Sequence, residues 1–169
     1  MRKLIGAIAM ATLIGSGLAG LPAAEAAGHP RTVEFTGTST FDFGSGGCSF
    51  AHQVYDATLT TKRGATLHIE GCADLTNAVT FPFNGTFTVS SSGRHSVSGT
   101  VTGVVGSPTT RTCNTGFPEG LAFALTQVRS DGQQRDSIAL EGIWCSPGAP
   151  GVPGDISGTL TGALPPILR

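Results

Sequence analysis

Asp56, His68 and Glu70 are the residues in this chain whose types and spacing could move a proton. They fall on two neighbouring segments, Val54–Thr60 and Thr66–Glu70, joined by Thr61–Ala65 with its Gly64. Pairing Leu59 with Leu67 in a hairpin sets Ala57 against Ile69 and Asp56 against Glu70. Two opposed carboxylates raise the pKa of one of them, and an imidazole beside them can relay a proton. That would be an acid/base site on a strand wall. The same residues also suit a solvated outer wall, because the opposite face holds Tyr55, Leu59, Leu67 and Ile69, and a small closed β-fold turns its apolar face inward. The outer wall is the expectation we adopt.

Ser49, His52 and Asp56 supply a nucleophile, a base and an orienting carboxylate by composition, but no G-x-S-x-G elbow frames the serine. We therefore expect no catalytic residues. His29 and His95 fall near the chain start and at a turn, where solvent exposure is the simplest role. Trp144 and Tyr55 are the sole Trp and Tyr; either could stack on a ligand, while a core role beside Cys145 suits Trp144. Asn84-Gly85-Thr86 matches a glycosylation sequon but lies inside a strand pattern, and it is discounted. No phosphate loop or dinucleotide fingerprint is present, so no cofactor is expected.

Cys48, Cys72, Cys113 and Cys145 make an even set. In an exported chain that implies two disulfides, with three connectivities open. Cys48–Cys72 with Cys113–Cys145 is preferred because each bond then ties neighbouring elements. With no C-x-x-C and no Cys/His cluster, metal ligation is not expected.

Residues 1–26 have the layout of a signal peptide: basic Arg2 and Lys3, an apolar Leu4–Leu18, then Ala24-Glu25-Ala26 as a small-x-small cleavage pattern. The apolar run is too short and glycine-rich for a membrane span. Residues 27–169 then form a single secreted domain with no membrane anchor. Without Arg2, Lys3 and Glu25, the ten basic and eleven acidic side chains fall to eight and ten, and Lys62 is the last lysine. Such a surface lacks the basic face that a phosphate backbone requires, so nucleic acid is not an expected partner.

The elements that must position these residues are strands. In Ala78–Gly103, Val79, Phe81, Phe83, Phe87, Val89, Val97 and Val101 take odd positions, while Thr, Ser and Asn take the even ones. Two-residue alternation marks strands with one buried and one wet face. Asn84-Gly85 resembles a two-residue hairpin turn, but that turn would pair odd with even and expose an aromatic pair. Burying one Phe is worth about 1.5–3 kcal/mol, so Val79–Ser90 reads as one strand bent at Gly85. The reversal then falls at Ser91–Arg94, matching Val89 to Val97.

Thr32–Phe43 alternates likewise, with Val33, Phe35, Phe41 and Phe43 on one face and Gly37 permitting a bend or bulge. Val104–Glu119 reads as a long connection carrying Cys113. Leu121–Val128 and Ser137–Trp144 form a hairpin across Asp131-Gly132. Ser146–Gly154 is a Pro/Gly connection, and Ile156–Leu164 closes the chain. Ser98–Gly103 and Ser157–Gly162 are similar, as convergent strand composition would make them. The result is an all-β, single antiparallel barrel of seven or eight strands, with a β-sandwich as the alternative. Glycines on the inward parity (Gly37, Gly85, Gly99, Gly103, Gly142, Gly158, Gly162) favour strongly coiled strands, hence the barrel.

Gly85-Thr86-Phe87, Gly93-Arg94 and Gly99-Thr100-Val101-Thr102-Gly103 together resemble the glycine-punctuated hairpin of small exported bacterial barrels similar to allene oxide cyclase and dirigent proteins. His95 stands where that group carries an aromatic. The resemblance covers about a fifth of the mature chain. It implies the barrel fold and, as an alternative function, an isomerase or cyclase activity, and it assigns no catalytic residue. The lead expectation is a non-catalytic secreted binding or interaction module, its ligand small and apolar or its partner an extracellular protein. A ligand would use the barrel mouth or interior. A barrel filled by Phe35, Phe81, Phe83 and Phe87 would leave only its surface.

Overall fold

The computed structural model describes residues 31–62, 64–76, 79–91, 96–128, 134–165 and 167. The proposed signal peptide, His29, His95 and the turns at Ser92–Arg94 and Asp131-Gly132 lie outside the described residues. Eight antiparallel strands run β1 Arg31–Phe43, β2 Ala51–Leu59, β3 Ala65–Ala73, β4 Phe81–Ser91, β5 Ser96–Ser107, β6 Phe117–Val128, β7 Gln134–Ser146 and β8 Gly154–Gly162. Each pairs with its sequence neighbour, and β8 returns to β1, so the sheet closes into a barrel. Cys48–Cys72 and Cys113–Cys145 are the disulfides, in the preferred pairing.

Parity builds the core. Phe35, Tyr55, Leu59, Leu67, Ile69, Phe83, Phe87, Val101, Phe123, Leu125, Leu140 and Leu160 all point inward and are buried. The single continuous strand is observed: Val89 pairs with Val97, and Asn84-Gly85 sits within β4, where Gly85 faces Gly71. A Cβ on Gly85 would strike the Glu70 carbonyl and approach the Gly71 Cα at 2.8 Å. Two glycines facing each other therefore let the β3 and β4 backbones approach closely here.

Several expected boundaries and registers change. In the β2–β3 hairpin Leu59 pairs with Ala65, Ala57 with Leu67, and Asp56 with His68 rather than Glu70. The loop is tighter than expected because Gly64 takes a left-handed φ of 60°, and sliding by two residues leaves every side chain on its original face. The Val104–Glu119 connection shrinks to 108–116, since β5 runs on to Ser107 and β6 begins at Phe117. At Gly37 the ladder is unbroken; register shifts fall at Val105/Ser107 and Thr126/Val128. Val79 precedes β4 and is 71% exposed, and Phe43 at the end of β1 is 60% exposed. β8 stops at Gly162, after which Leu164 and Ile167 join the core at the end where β1 begins.

Candidate functional site

Asp56, His68, Glu70 and His52 form a chain on the outer face of β2 and β3. His68 Nδ1 lies 2.8 Å from Asp56 Oδ1, His68 Nε2 lies 3.7 Å from Glu70 Oε2, and His52 Nε2 lies 3.0 Å from Glu70 Oε1. The hydrogen bond to Asp56 raises the His68 pKa, with partial burial opposing it. His68, Asp56 and Glu70 are exposed, and none of the three lines the interior or the mouth of the barrel. The structure thus brings the polar cluster together as an outward-facing ion-pair ladder. It does not join Ser49, His52 and Asp56: His52 engages Glu70 and Asp56 engages His68.

The barrel interior is filled. The enclosed space between Phe35, Tyr55, Leu67, Ile69, Phe123 and Leu140 amounts to about 10 Å3, no more than one water's worth. Tyr55, Phe83 and Phe123 occupy the centre, with Phe83 and Phe123 stacked at 4.8 Å and Tyr55 edge-on to both. Burial raises the Tyr55 pKa, with the charge of Glu119 adding to the effect, and its hydroxyl donates to Gln53 Oε1 at 2.8 Å.

Above this plug the barrel opens at the end where β1, β3 and β7 finish and β2, β4 and β6 begin. A cavity of about 150 Å3 is lined by Phe41, Phe43, Ala51, Gln53, Ala73, Leu75, Phe81, Glu119, Trp144, Ser146 and Gly148. Its aromatic walls meet near right angles: Phe41 and Phe43 are 5.4 Å apart at 76°, and Phe41 and Trp144 are 5.6 Å apart at 78°. Glu119 is the cavity's carboxylate. Burial raises its pKa, and among the described residues no cation pairs with it. The Trp144 indole N–H has no acceptor and lies against Gly154.

The same end carries an apolar rim and both disulfides. Phe43, Phe50, Val79, Phe117 and Val152, five of the six exposed large hydrophobics among the described residues, surround it, and Val128 alone lies at the opposite end. Cys48–Cys72 ties the β1–β2 loop to β3, and Cys113–Cys145 ties the β5–β6 loop to β7.

Sequence reasoning missed Glu119, Gln53, Phe41 and Phe81 as site residues. For Glu119 a signal existed. Phe117, Glu119, Leu121, Phe123 and Leu125 continue one odd-numbered alternation, with a carboxylate where an apolar residue belongs. Assigning 104–119 to a loop hid it.

No family model, no curated protein and no solved structure matches this chain. The resemblance to allene oxide cyclase and dirigent barrels therefore rests on the hairpin residues alone.

Proposed function

We propose that this protein is an exported, non-catalytic binding module that engages a small ligand at the disulfide-bearing mouth of its barrel. The observation carrying this reading is the mouth cavity of about 150 Å3 above an interior with no usable space. A binding site is ordinarily a mostly apolar concavity with a few convergent polar groups, and the aromatic walls with Gln53, Glu119 and Ser146 fit that description. Export is supported by the signal-like residues 1–26 and by two disulfides, which persist in oxidising compartments. The exposed proton-relay cluster supports a structural role better than catalysis, because water reaches all of its members.

NMR chemical-shift mapping with small apolar fragments tests the proposal. Shifts concentrated at Phe81, Trp144 and Gly148 are expected. Fragments gathering instead on the Asp56–His68–Glu70 wall, or none reaching the mouth, would overturn it.

A further inference from the structure

We infer that the mouth cup is built to hold an organic ammonium group, a trimethylammonium or alkylammonium head, against Glu119 and between Phe41, Phe43, Phe81 and Trp144. This rests on the mouth-binding reading and specifies the chemistry of the ligand.

The first support is charge. Glu119 stands on the inward parity of β6, half-buried in a largely apolar cup. Among the described residues no lysine, arginine or histidine pairs with it. Removing a carboxylate from water without a partner is unfavourable, and an apolar residue here would continue the Leu121, Phe123, Leu125 series. Side chains that break a local rule without structural compensation concentrate at functional sites.

The second support is the wall. Rings at 76–78° to their neighbours enclose a corner, whereas stacked rings would not. Aromatic faces attract cations through the ring quadrupole, and several rings around one site are the usual receptor for quaternary ammonium. A metal ion is the wrong cation here. Calcium or magnesium needs about six oxygen ligands, while this cup offers one carboxylate, the Gln53 amide and the Ser146 hydroxyl among rings, and no metal-holding cluster exists among the described residues. A methylated ammonium gives up its weak hydration readily and matches both features.

Size is the third. Pockets for drug-sized ligands run about 300–1,000 Å3, so about 150 Å3 takes a head group and leaves its tail outside. The apolar rim of Phe43, Phe50 and Phe117 surrounds the exit. The head could belong to a free amine or to a lipid.

The experiment uses Trp144 emission, free of interference because it is the sole tryptophan. The intact mature chain is titrated with choline and with its uncharged carbon isostere, 3,3-dimethylbutan-1-ol. Choline is expected to bind roughly tenfold or more tightly than the isostere, and Glu119→Gln, checked by circular dichroism for folding, should erase that preference. A parallel titration with phosphatidylcholine and phosphatidylglycerol vesicles distinguishes the sources. Binding to phosphatidylcholine vesicles but not to free choline identifies a lipid head, and binding to free choline alone a soluble amine. Equal or tighter binding of the neutral isostere would overturn the ammonium inference while leaving mouth binding intact. If neither compound nor either vesicle changes Trp144 emission, the inference fails as well, and the fragment mapping above then decides the broader reading.

Discussion

Glu119 on β6 and Trp144 on β7 are register partners, and both side chains line the mouth cavity. This pair puts the cup's charge beside its largest aromatic wall. It also places a half-buried carboxylate with no cation partner among the described residues at the border between the packed core and the opening. The stability of the fold and the chemistry of the mouth are therefore coupled through one residue.

Glu119→Gln should stabilise the protein at neutral pH. Burial raises the Glu119 pKa, so the folded chain holds this proton at pH values where the unfolded chain has released it. Stability must then fall as pH rises from the ordinary glutamate range through the raised value. The isosteric amide removes that loss. Thermal melts should show Glu119→Gln higher by roughly 1–3 °C at pH 7 and level with the parent at pH 4. A lower melting temperature for the variant at pH 7 would contradict this account.

On the outer wall the pH dependence has the same sign, but here the protonated form that the fold favours is the charged one. The hydrogen bond that His68 donates to Asp56 raises the His68 pKa, so protonated His68 stabilises the fold below its ordinary value. The contribution disappears as pH rises through the raised value. Because both side chains are solvent-exposed, screening limits the effect to about 0.2–1 kcal/mol. Urea denaturation of the parent and Asp56→Asn should differ at pH 5.5 and converge at pH 8.5. Ligand binding at the mouth should be unchanged in this variant.

Each disulfide closes a loop at the mouth end, with sequence separations of 24 and 32 residues. Loop-closure entropy makes each worth about 3–4 kcal/mol. Replacing Cys48 and Cys72 together by Ala should lower the unfolding free energy by that amount in chemical denaturation. Hydrogen exchange should accelerate first in residues 44–50, which the bond holds to β3.

Gly158→Ala should be among the costliest single substitutions in the chain. A Cβ there would strike the Glu141 carbonyl, approach the Gly142 Cα at 2.6 Å and meet the Phe35 ring at 2.8 Å. Phe35 is the register partner of Gly158 and fully buried, so relief requires moving both a strand and a core ring. Overpacking of this kind costs about 1–3 kcal/mol or more, measurable as a lowered denaturation midpoint. Thr159→Ser on the same strand, facing the other way, should be nearly neutral.

Much of the architecture was legible because alternation is a local property. Phe81, Phe83 and Phe87 had to share a side with Val89 and Val101, and that requirement rejected the Asn84-Gly85 turn. Inward glycines pointed to strongly coiled strands and a barrel, and in the structure most of them also take a neighbouring backbone or ring: Phe87 lies over Gly99 and Phe123 over Gly103. Gly71 went unnoticed, although it faces Gly85, because nothing in the local pattern shows which strand will be its neighbour. The polar cluster was correctly placed on one wall, yet its pairing was off by two residues. The mouth was the larger omission, since Phe41, Gln53, Phe81, Glu119 and Trp144 come from five strands.

By itself the sequence determined an all-β chain, the inward and outward faces of most strands, a β4 continuous through Asn84-Gly85 and the need for two disulfides. Only the tertiary structure decided the β2–β3 register, the filling of the interior by Tyr55, Phe83 and Phe123, and the joining of Glu119 to aromatic rings at one rim. The physical reason is the period of the strand. A slide of two residues leaves every inward side chain inward, so alternation cannot choose among such registers. That choice belongs to the tight turn at Gly64, the glycine contacts between strands and the closure of β8 onto β1, and it decides which residues meet at the mouth.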